Sequence, residues 1–247
     1  VGRACDAFLH AQARMRMSPS QIPKFSDLNQ ILGTATGWQI VGVEGLLPEL
    51  DFFFFLANRR FPVSWWIRRP EQVDYLEEPD LFHDLFGHVP LLMEPRFANY
   101  LQAYGQGGIK AHAIGPDALM QLARLYWYTV EFGLIRQADG LRIYGAGIVT
   151  SKGESTYSLE SAAPNRLGFD LERIMRTRYQ IDSFQQTYFV IDSFEQLIEA
   201  TLADSHLLLA LSFAVEYSST CPASAALSRT AHAERFAADF ARAGPRP

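Results

Sequence analysis

The sequence predicts a single domain that is mainly α-helical with short β elements, an α+β arrangement. Two observations lead to this class. Apolar residues recur at helical spacing through several long segments, whereas alternating, strand-like runs are short. The 247 residues, 48% of them hydrophobic and 13% aromatic, suffice for one sizeable core. We therefore assign residues 1–247 to one domain and expect the tail after about residue 218, poor in large apolar side chains, to be loose.

In the first part of the chain, helices and strands alternate. Pro48 and the acids beside it suit the start of a helix, because proline fits the first turn and carboxylates complement the helix dipole. The predicted elements are helices over 4–15 and 24–32, a strand over 38–43, a helix opening at 47–51 and a strand over 61–68.

In the second part, long helices give way to strands and loops after Gly140. Asp117 is a good residue to cap the longest helix, because its carboxylate can accept from free backbone amides. The predicted elements are helices over 82–88, 95–104, 117–135 and 169–177, and strands over 141–144, 155–159 and 187–191.

Charge and composition exclude several partner classes. The net charge of -5 comes from 22 basic and 27 acidic side chains without a basic stripe, which argues against nucleic acid. Apolar runs such as 52–57 are too short to cross a bilayer, and the first residues lack a secretory pattern, so no membrane partner and a cytoplasmic location are expected. Cys5 and Cys221 are read as free thiols, with a long-range disulfide left open.

Two histidines and one carboxylate are the strongest chemical signal. His83 and His88 lie in one apolar segment, and Glu131 lies in 125–134, where nearly every other residue is apolar or aromatic. A buried carboxylate is costly unless it is paired or binds a metal. Two imidazoles and one carboxylate hold Fe(II) on one face and leave the opposite face open. This set predicts an iron enzyme.

The histidine spacing separates this pattern from zinc hydrolases, whose two histidines are four apart with a glutamate base between them. Here the histidines are five apart, about 140° around a regular helix, so both reach one metal only where the helix loosens or ends. Gly87 and Pro90 favour such a change. Ordinary core histidines, a closed structural metal site and a zinc hydrolase stay open as alternatives.

Three segments, 83–91, 126–134 and 144–147, closely resemble the pterin-dependent aromatic amino acid hydroxylases. The likeness runs in order from about residue 37 to about residue 197 and is greatest to the bacterial phenylalanine hydroxylases. It implies the catalytic domain of that family: a non-haem Fe(II) monooxygenase that uses a tetrahydropterin and O2 to hydroxylate a free aromatic amino acid, L-phenylalanine to tyrosine. His83, His88 and Glu131 are then the iron ligands.

The resemblance also assigns the organic ligands. The pterin site comprises Gly45, Leu47, Phe52, Asp84, Ala123 and Tyr126. Arg68 would hold the substrate carboxylate, with Asp80 supporting it, because arginine makes two parallel bonds to a carboxylate. The remaining substrate-binding residues are Tyr75, Pro79, Trp127, Phe132, Gly147, Thr150 and Ser151. From the residues alone, Phe52 reads as core and the Arg68–Asp80 pair as a surface ion pair.

The resemblance leaves several alternatives open. Thr150 replaces a commoner serine, and its extra methyl group puts the hydroxylated ring position in question, so meta-hydroxylation stays open. Tryptophan hydroxylation requires only a few pocket changes, and a relative that holds metal without catalysis is the non-enzymatic alternative. No heptad pattern follows the likeness, so a monomer is expected.

Overall fold

Helices dominate the computed structural model, which describes residues 2–18, 20–72 and 78–202 and the backbone of a strand pair further on, confirming the predicted fold class. Within these ranges, no helix has the length and apolar character needed to span a membrane. The α-helices are α1 Asp6–Met15, α2 Phe25–Thr36, α3 Glu49–Ala57, α4 Pro95–Ile114, α5 Pro116–Tyr126, α6 Ala146–Val149, α7 Lys152–Glu160, α8 Leu171–Arg176 and α9 Phe194–Leu202.

Two short helical segments have π geometry. The first π-helix is His83–His88, and the second π-helix is Trp127–Glu131. The Val89 amide donates to the Asp84 carbonyl, and the Phe132 amide donates to the Trp127 carbonyl, both across five residues. The 3-10 helices are Pro70–Gln72 and Val89–Met93. Because π geometry is rare and is enriched at functional sites, these segments mark where a site is expected.

The strands form small sheets. They are β1 Gln39–Val43, β2 Arg60–Ser64, β3 Leu134–Gln137, β4 Gly140–Ile143, β5 Asn165–Gly168, β6 Thr187–Ile191, β7 Glu216–Tyr217 and β8 Ala226–Leu227. Parallel β1 and β2 pair Gln39 with Arg60. A four-stranded sheet has the order β4-β3-β6-β5, in which only β3 and β4 are antiparallel. Strand β3 follows the second π-helix after a short turn and so anchors it to this sheet.

Aromatic side chains fill the core around the two π-helices. Phe97 on α4 packs edge-on against Tyr144 and Phe194, with ring centroids 6.2 and 5.6 Å apart. Phe53 on α3 contacts Tyr104 on α4 at 5.8 Å. All five rings are buried, and edge-to-face packing of this kind adds to the free energy of area burial. The core therefore fixes the helices on which the functional side chains lie.

Some predicted elements are wrong in type. The predicted strand over 155–159 is part of α7, because the Ser151 hydroxyl accepts from the Glu154 amide at 3.2 Å and starts a helix there. The predicted helix over 117–135 ends in the second π-helix, and Ile135 lies in β3. Asp117 is not the cap; Gly115 precedes the helix, which begins at Pro116.

Other elements differ in length. The strand predicted over 61–68 ends at Ser64, whose amide donates to the Asp84 carboxylate instead of a strand partner, at 2.7 Å. Helix α4 continues to Ile114, well past the predicted end at residue 104. Cys5 is buried and free, whereas Cys221 and most of the tail after residue 218 lie outside the described residues.

Candidate metal centre and active site

The two π-helices bring His83, His88 and Glu131 together. In a π-helix the hydrogen bond joins residues five apart, so side chains five apart lie on one face. His83 and His88 accordingly approach within 2.9 Å at their Nε2 atoms. Glu131, the last residue of the second π-helix, places its two carboxylate oxygens 3.4 Å from His83 Nε2 and 3.1 Å from His88 Nε2. The predicted loosening of the helix at this spacing is confirmed.

The three donor groups fit one face of an octahedral metal site. Adjacent ligands with bonds of about 2.1 Å to an octahedral ion lie about 3.0 Å apart. The observed separations of 2.9, 3.1 and 3.4 Å are close to this value. Two imidazoles and a carboxylate on one face leave the opposite positions for small ligands, the arrangement typical of non-haem Fe(II) sites.

Electrostatics keep the carboxylate ionised. Burial opposes the charge on Glu131, but the two histidines outweigh burial and hold the pKa of this carboxyl well below its ordinary value. Burial would lower the pKa of His83, but the Glu131 carboxylate outweighs burial and raises it. Glu131 is therefore an anionic ligand, and a divalent cation bound here would displace the proton that this carboxylate favours on His83.

A hydrogen bond to Thr150 fixes the tautomer of His83. The Thr150 hydroxyl donates to the Ala146 carbonyl at 2.8 Å, since a carbonyl only accepts. The hydroxyl oxygen therefore accepts from His83 Nδ1, which lies 3.1 Å away. With its proton on Nδ1, the imidazole turns the lone pair of Nε2 toward Glu131 and His88. The Thr150 methyl group faces the first π-helix, because a Cβ at Gly87 would lie 3.0 Å from it.

Asp84 is close to the histidines but has a separate partner. Single ligand atoms of His83, Asp84 and His88 lie within 4.8 Å of one another. However, the Glu131 oxygens are closer to the histidines, and Asp84 accepts from the Ser64 amide at 2.7 Å. Burial raises the pKa of the Asp84 carboxyl. Glu131 is therefore the better third ligand, and Asp84 lies beside the metal position.

Arg68 and Asp80 form a buried pair, not the surface pair that the residues alone suggest. Asp80 is 0% exposed, and its carboxylate accepts from Arg68 Nη2 at 2.7 Å, Arg68 Nε at 3.0 Å and the Arg68 amide at 2.8 Å. The same carboxylate accepts from the His83 amide at 2.9 Å. Asp80 therefore fixes the guanidinium relative to the first π-helix.

Two rings, called the aromatic wall below, lie at the ends of the π-helix that carries Glu131. Trp127 is the first residue of the second π-helix and Phe132 follows its last residue, and their ring centroids are 4.7 Å apart. Phe132 reaches Gly147, where a Cβ would lie 2.9 Å from the ring. Gly145, directly before α6, packs closely against Glu131, since a Cβ at Gly145 would lie 2.4 Å from the Glu131 carbonyl oxygen. Only glycine fits at residue 145, which explains the Gly-rich turn.

Some of the residues assigned to the pterin site lie near His88. Tyr126 stands 6.2 Å from the His88 ring and 5.8 Å, edge-on, from Phe52. Ala123 lies one turn before Tyr126 on α5, and Leu47 lies two residues before the start of α3. Gly45 has a φ of 74° in the exposed turn before Leu47. The structure thus groups Phe52, Tyr126 and His88, and it places Gly45 and Leu47 in the segment leading to Phe52.

For three of the residues assigned to substrate binding, the structure gives less support for that role. Pro79 is exposed, and its carbonyl accepts from the Ser64 hydroxyl at 3.0 Å. The Ser151 hydroxyl caps α7. Tyr75 lies outside the described residues.

Sequence reasoning missed Gln185 and Tyr179, which both contact Trp127. They lie in an irregular segment about 50 residues further along the chain, and no local pattern connects them to Trp127.

Comparisons with known proteins agree on one enzyme family. The family model described as biopterin-dependent aromatic amino acid hydroxylase matches residues 2–242. The chain is 68% identical over 203 residues to the phenylalanine-4-hydroxylase of Ralstonia nicotianae, covering 82% of this chain and 64% of that enzyme. It is 64% identical to the enzyme of the same name from Chromobacterium violaceum, covering 82% of this chain and 68% of that one. The chain thus matches about two thirds of the length of these relatives.

Solved structures of the Chromobacterium violaceum phenylalanine hydroxylase share the fold. One with bound cobalt has a TM-score of 0.86 and 60% sequence identity, covering 92% of this chain and 82% of that one. One with bound oxidised Fe(III) has a TM-score of 0.86 and 59% identity, with the same coverage.

Proposed function

The chain belongs to the biopterin-dependent aromatic amino acid hydroxylase family, and from this premise we propose that it hydroxylates the ring of a free aromatic amino acid, converting L-phenylalanine to tyrosine. One observation carries the proposal most. Two imidazoles and a carboxylate converge within 3.4 Å of one another beside an aromatic wall. An open metal position next to an apolar surface is what ring oxidation of such a substrate requires.

We assign Fe(II) to His83, His88 and Glu131. When bound there with a reduced pterin, the metal supplies the O2 activation that ring hydroxylation needs. The protein contributes the anionic ligand and the tautomer of His83 that Thr150 selects. The buried Phe61 ring, 5.0 Å from the His88 ring, excludes water from that side of the site. No side chain is given the role of general base.

Arg68 is proposed to bind the substrate carboxylate. Its guanidinium is held by Asp80, which also accepts from the His83 amide, so carboxylate recognition and the metal position share one anchor. A planar guanidinium binds a carboxylate with two parallel hydrogen bonds. The ring of the amino acid would then lie against Trp127 and Phe132.

The pterin is proposed to stack on Phe52. Phe52 is half-buried and meets Tyr126 edge-on, so part of its surface stays available to a flat ligand. Burial raises the pKa of the Tyr126 phenol well above its ordinary value and keeps the hydroxyl neutral. Gly45, Leu47, Asp84 and Ala123 complete the proposed pterin site.

The test is aerobic turnover of the iron-loaded protein with tetrahydropterin and each of phenylalanine, tyrosine and tryptophan. Products are separated against ortho-, meta- and para-tyrosine and hydroxytryptophan standards. We expect para-tyrosine, formed only when both iron and pterin are present. Meta-tyrosine or hydroxytryptophan would keep the class but change the ring position or substrate.

Variants separate catalysis from a structural metal role. Glu131→Ala and His83→Ala should lose iron and turnover, whereas His112→Ala, which changes an exposed histidine on α4, should retain both. Failure to form product from wild-type protein shown to hold iron would refute the hydroxylase proposal and favour a structural metal site.

A further inference from the structure

Gln185 connects three parts of the molecule around the aromatic wall. Its side-chain oxygen accepts from the Trp127 indole nitrogen at 3.0 Å. Its side-chain nitrogen donates to the Gln180 carbonyl at 2.8 Å and to the Ser183 carbonyl at 3.4 Å. Its backbone amide donates to Glu154 on α7 at 3.0 Å. Gln185 is itself buried, and its backbone bond to Glu154 is buried as well.

Packing alone does not fix the Trp127 ring completely. The indole lies between Tyr179, stacked at 4.2 Å and 13°, and Phe132 at 4.7 Å and 31°. Two flat neighbours restrain the tilt of the ring, but stacking does not by itself direct the indole N–H. Among the described residues Gln185 accepts from this N–H, and a flipped ring would give up the hydrogen bond. The hydrogen bond therefore selects one orientation.

The backbone of Gln185 is itself held in place. Glu154 is buried, and one of its oxygens accepts from both the Gln185 amide and the Tyr188 hydroxyl. The adjacent Phe184 packs on Tyr157 of α7 at 5.0 Å. Helix α7 begins directly after Ser151, the residue that follows Thr150. The segment that carries Gln185 therefore contacts both α7 and Trp127, the first residue of the second π-helix.

We infer that Gln185 is a positioning residue that sets substrate specificity by fixing the orientation of the Trp127 indole in the aromatic wall. The inference rests on the proposed function. It acts through Trp127 and not through the metal, so iron binding should not depend on it. The discrimination between phenylalanine and the larger tryptophan should depend on it, because a reoriented indole changes the width of the slot.

The test compares Gln185→Met with Gln186→Met. Methionine keeps the length of glutamine but cannot replace the amide acceptor. Gln186 is the matched control, because its side-chain amide donates to the nearby Phe184 carbonyl and, among the described residues, not to the aromatic wall. For Gln185→Met we expect the KM for phenylalanine to rise by about 3- to 10-fold and the preference for phenylalanine over tryptophan to fall by a similar factor, with iron content unchanged.

A double-mutant cycle with Trp127→Phe identifies the route of the effect. If Gln185 acts through the indole, Gln185→Met should alter specificity in the wild type but not in the Trp127→Phe background. Tryptophan emission, taken as the difference between each protein and its Trp127→Phe counterpart, should shift with Gln185→Met and not with Gln186→Met.

Each outcome is decisive. Equal specificity of Gln185→Met and Gln186→Met, or an equal effect of Gln185→Met in both backgrounds, overturns the inference while the proposed function stands. Wild-type protein without iron- and pterin-dependent product refutes the proposed function and the inference with it. Thermal unfolding of each variant identifies any loss of fold, and Gln185→Asn, which retains an amide one methylene shorter, should recover part of the specificity if the hydrogen bond is the cause.

Discussion

Replacing Thr150 with valine should weaken iron binding without changing any ligand. Valine keeps the branched shape but removes the hydroxyl oxygen that accepts from His83 Nδ1 at 3.1 Å. The imidazole is then free to carry its proton on Nε2, the atom that faces Glu131 and His88. A protonated Nε2 cannot bind a metal.

The size of the loss in iron affinity follows from the hydrogen-bond partner that His83 loses. Leaving a buried donor unpaired costs about 1–3 kcal/mol, and loss of an outer partner of a metal-binding histidine reduces affinity by roughly 10- to 100-fold. The two estimates agree, because a tenfold change in affinity corresponds to about 1.4 kcal/mol. We therefore expect the Kd for Fe(II) to rise by one to two orders of magnitude in Thr150→Val.

The assay is competition for Fe(II) against a colorimetric chelator under anaerobic conditions. Thr150→Ser is the matched control, since it keeps the hydroxyl and removes only the methyl group that faces Gly87. It should bind iron within a few-fold of the wild type. The tautomer argument would be refuted if Thr150→Val bound Fe(II) as tightly as Thr150→Ser.

Three further outcomes are expected. Gly145→Ala should lower the free energy of unfolding by about 1–3 kcal/mol and reduce iron content, because the new Cβ would lie 2.4 Å from the Glu131 carbonyl oxygen. Urea unfolding measures the first effect and metal analysis the second. Unchanged values would contradict the close packing. Asp80→Asn should lower the free energy of unfolding by about 3 kcal/mol at neutral pH, because it removes the carboxylate charge that lies 2.7 Å from Arg68 Nη2. Burial opposes the charge on Asp80, but Arg68 outweighs burial and lowers the pKa of this carboxyl below 3.8. The stabilisation is therefore present above that pH and is lost as the pH falls through the lower folded-state pKa. Urea unfolding at pH 7 and pH 3 should show a difference in unfolding free energy between wild type and Asp80→Asn that narrows in acid, and a difference independent of pH would contradict the pairing. Removing the metal with a chelator should lower the Tm by about 5–10 °C relative to protein with iron at a hundredfold excess over its Kd, and an equal Tm would show that these ligands do not hold iron.

The sequence predicts the ligands of the site better than the geometry that unites them. The five-residue spacing of His83 and His88 already requires a departure from the α-helix, and Gly87 and Pro90 indicate where it occurs. That Glu131 also ends a π-helix is not visible, because hydrogen bonds across five residues leave no periodic pattern over so short a segment.

Contacts that are distant along the chain are the part that sequence does not reveal. The bond between His83 and Thr150 spans 67 residues, and the bond between Trp127 and Gln185 spans 58. The alternation of 155–159 favours a strand, yet a local Ser151 cap and the burial of Glu154 make it helical. Tertiary context outweighs local propensity at such positions.

The sequence of the first π-helix is one residue longer than a hydrolase metal motif. Deleting Leu85 would leave His83 and His88 four positions apart, with a carboxylate, Asp84, directly after the first histidine. That order of histidine, acid, two residues and histidine is the one that zinc hydrolases place on a regular helix. The extra residue accommodated by the π-helix therefore distinguishes the five-residue histidine spacing of this site from the four-residue spacing of the hydrolases. A deletion, not a substitution, is the mutation that would convert one spacing into the other.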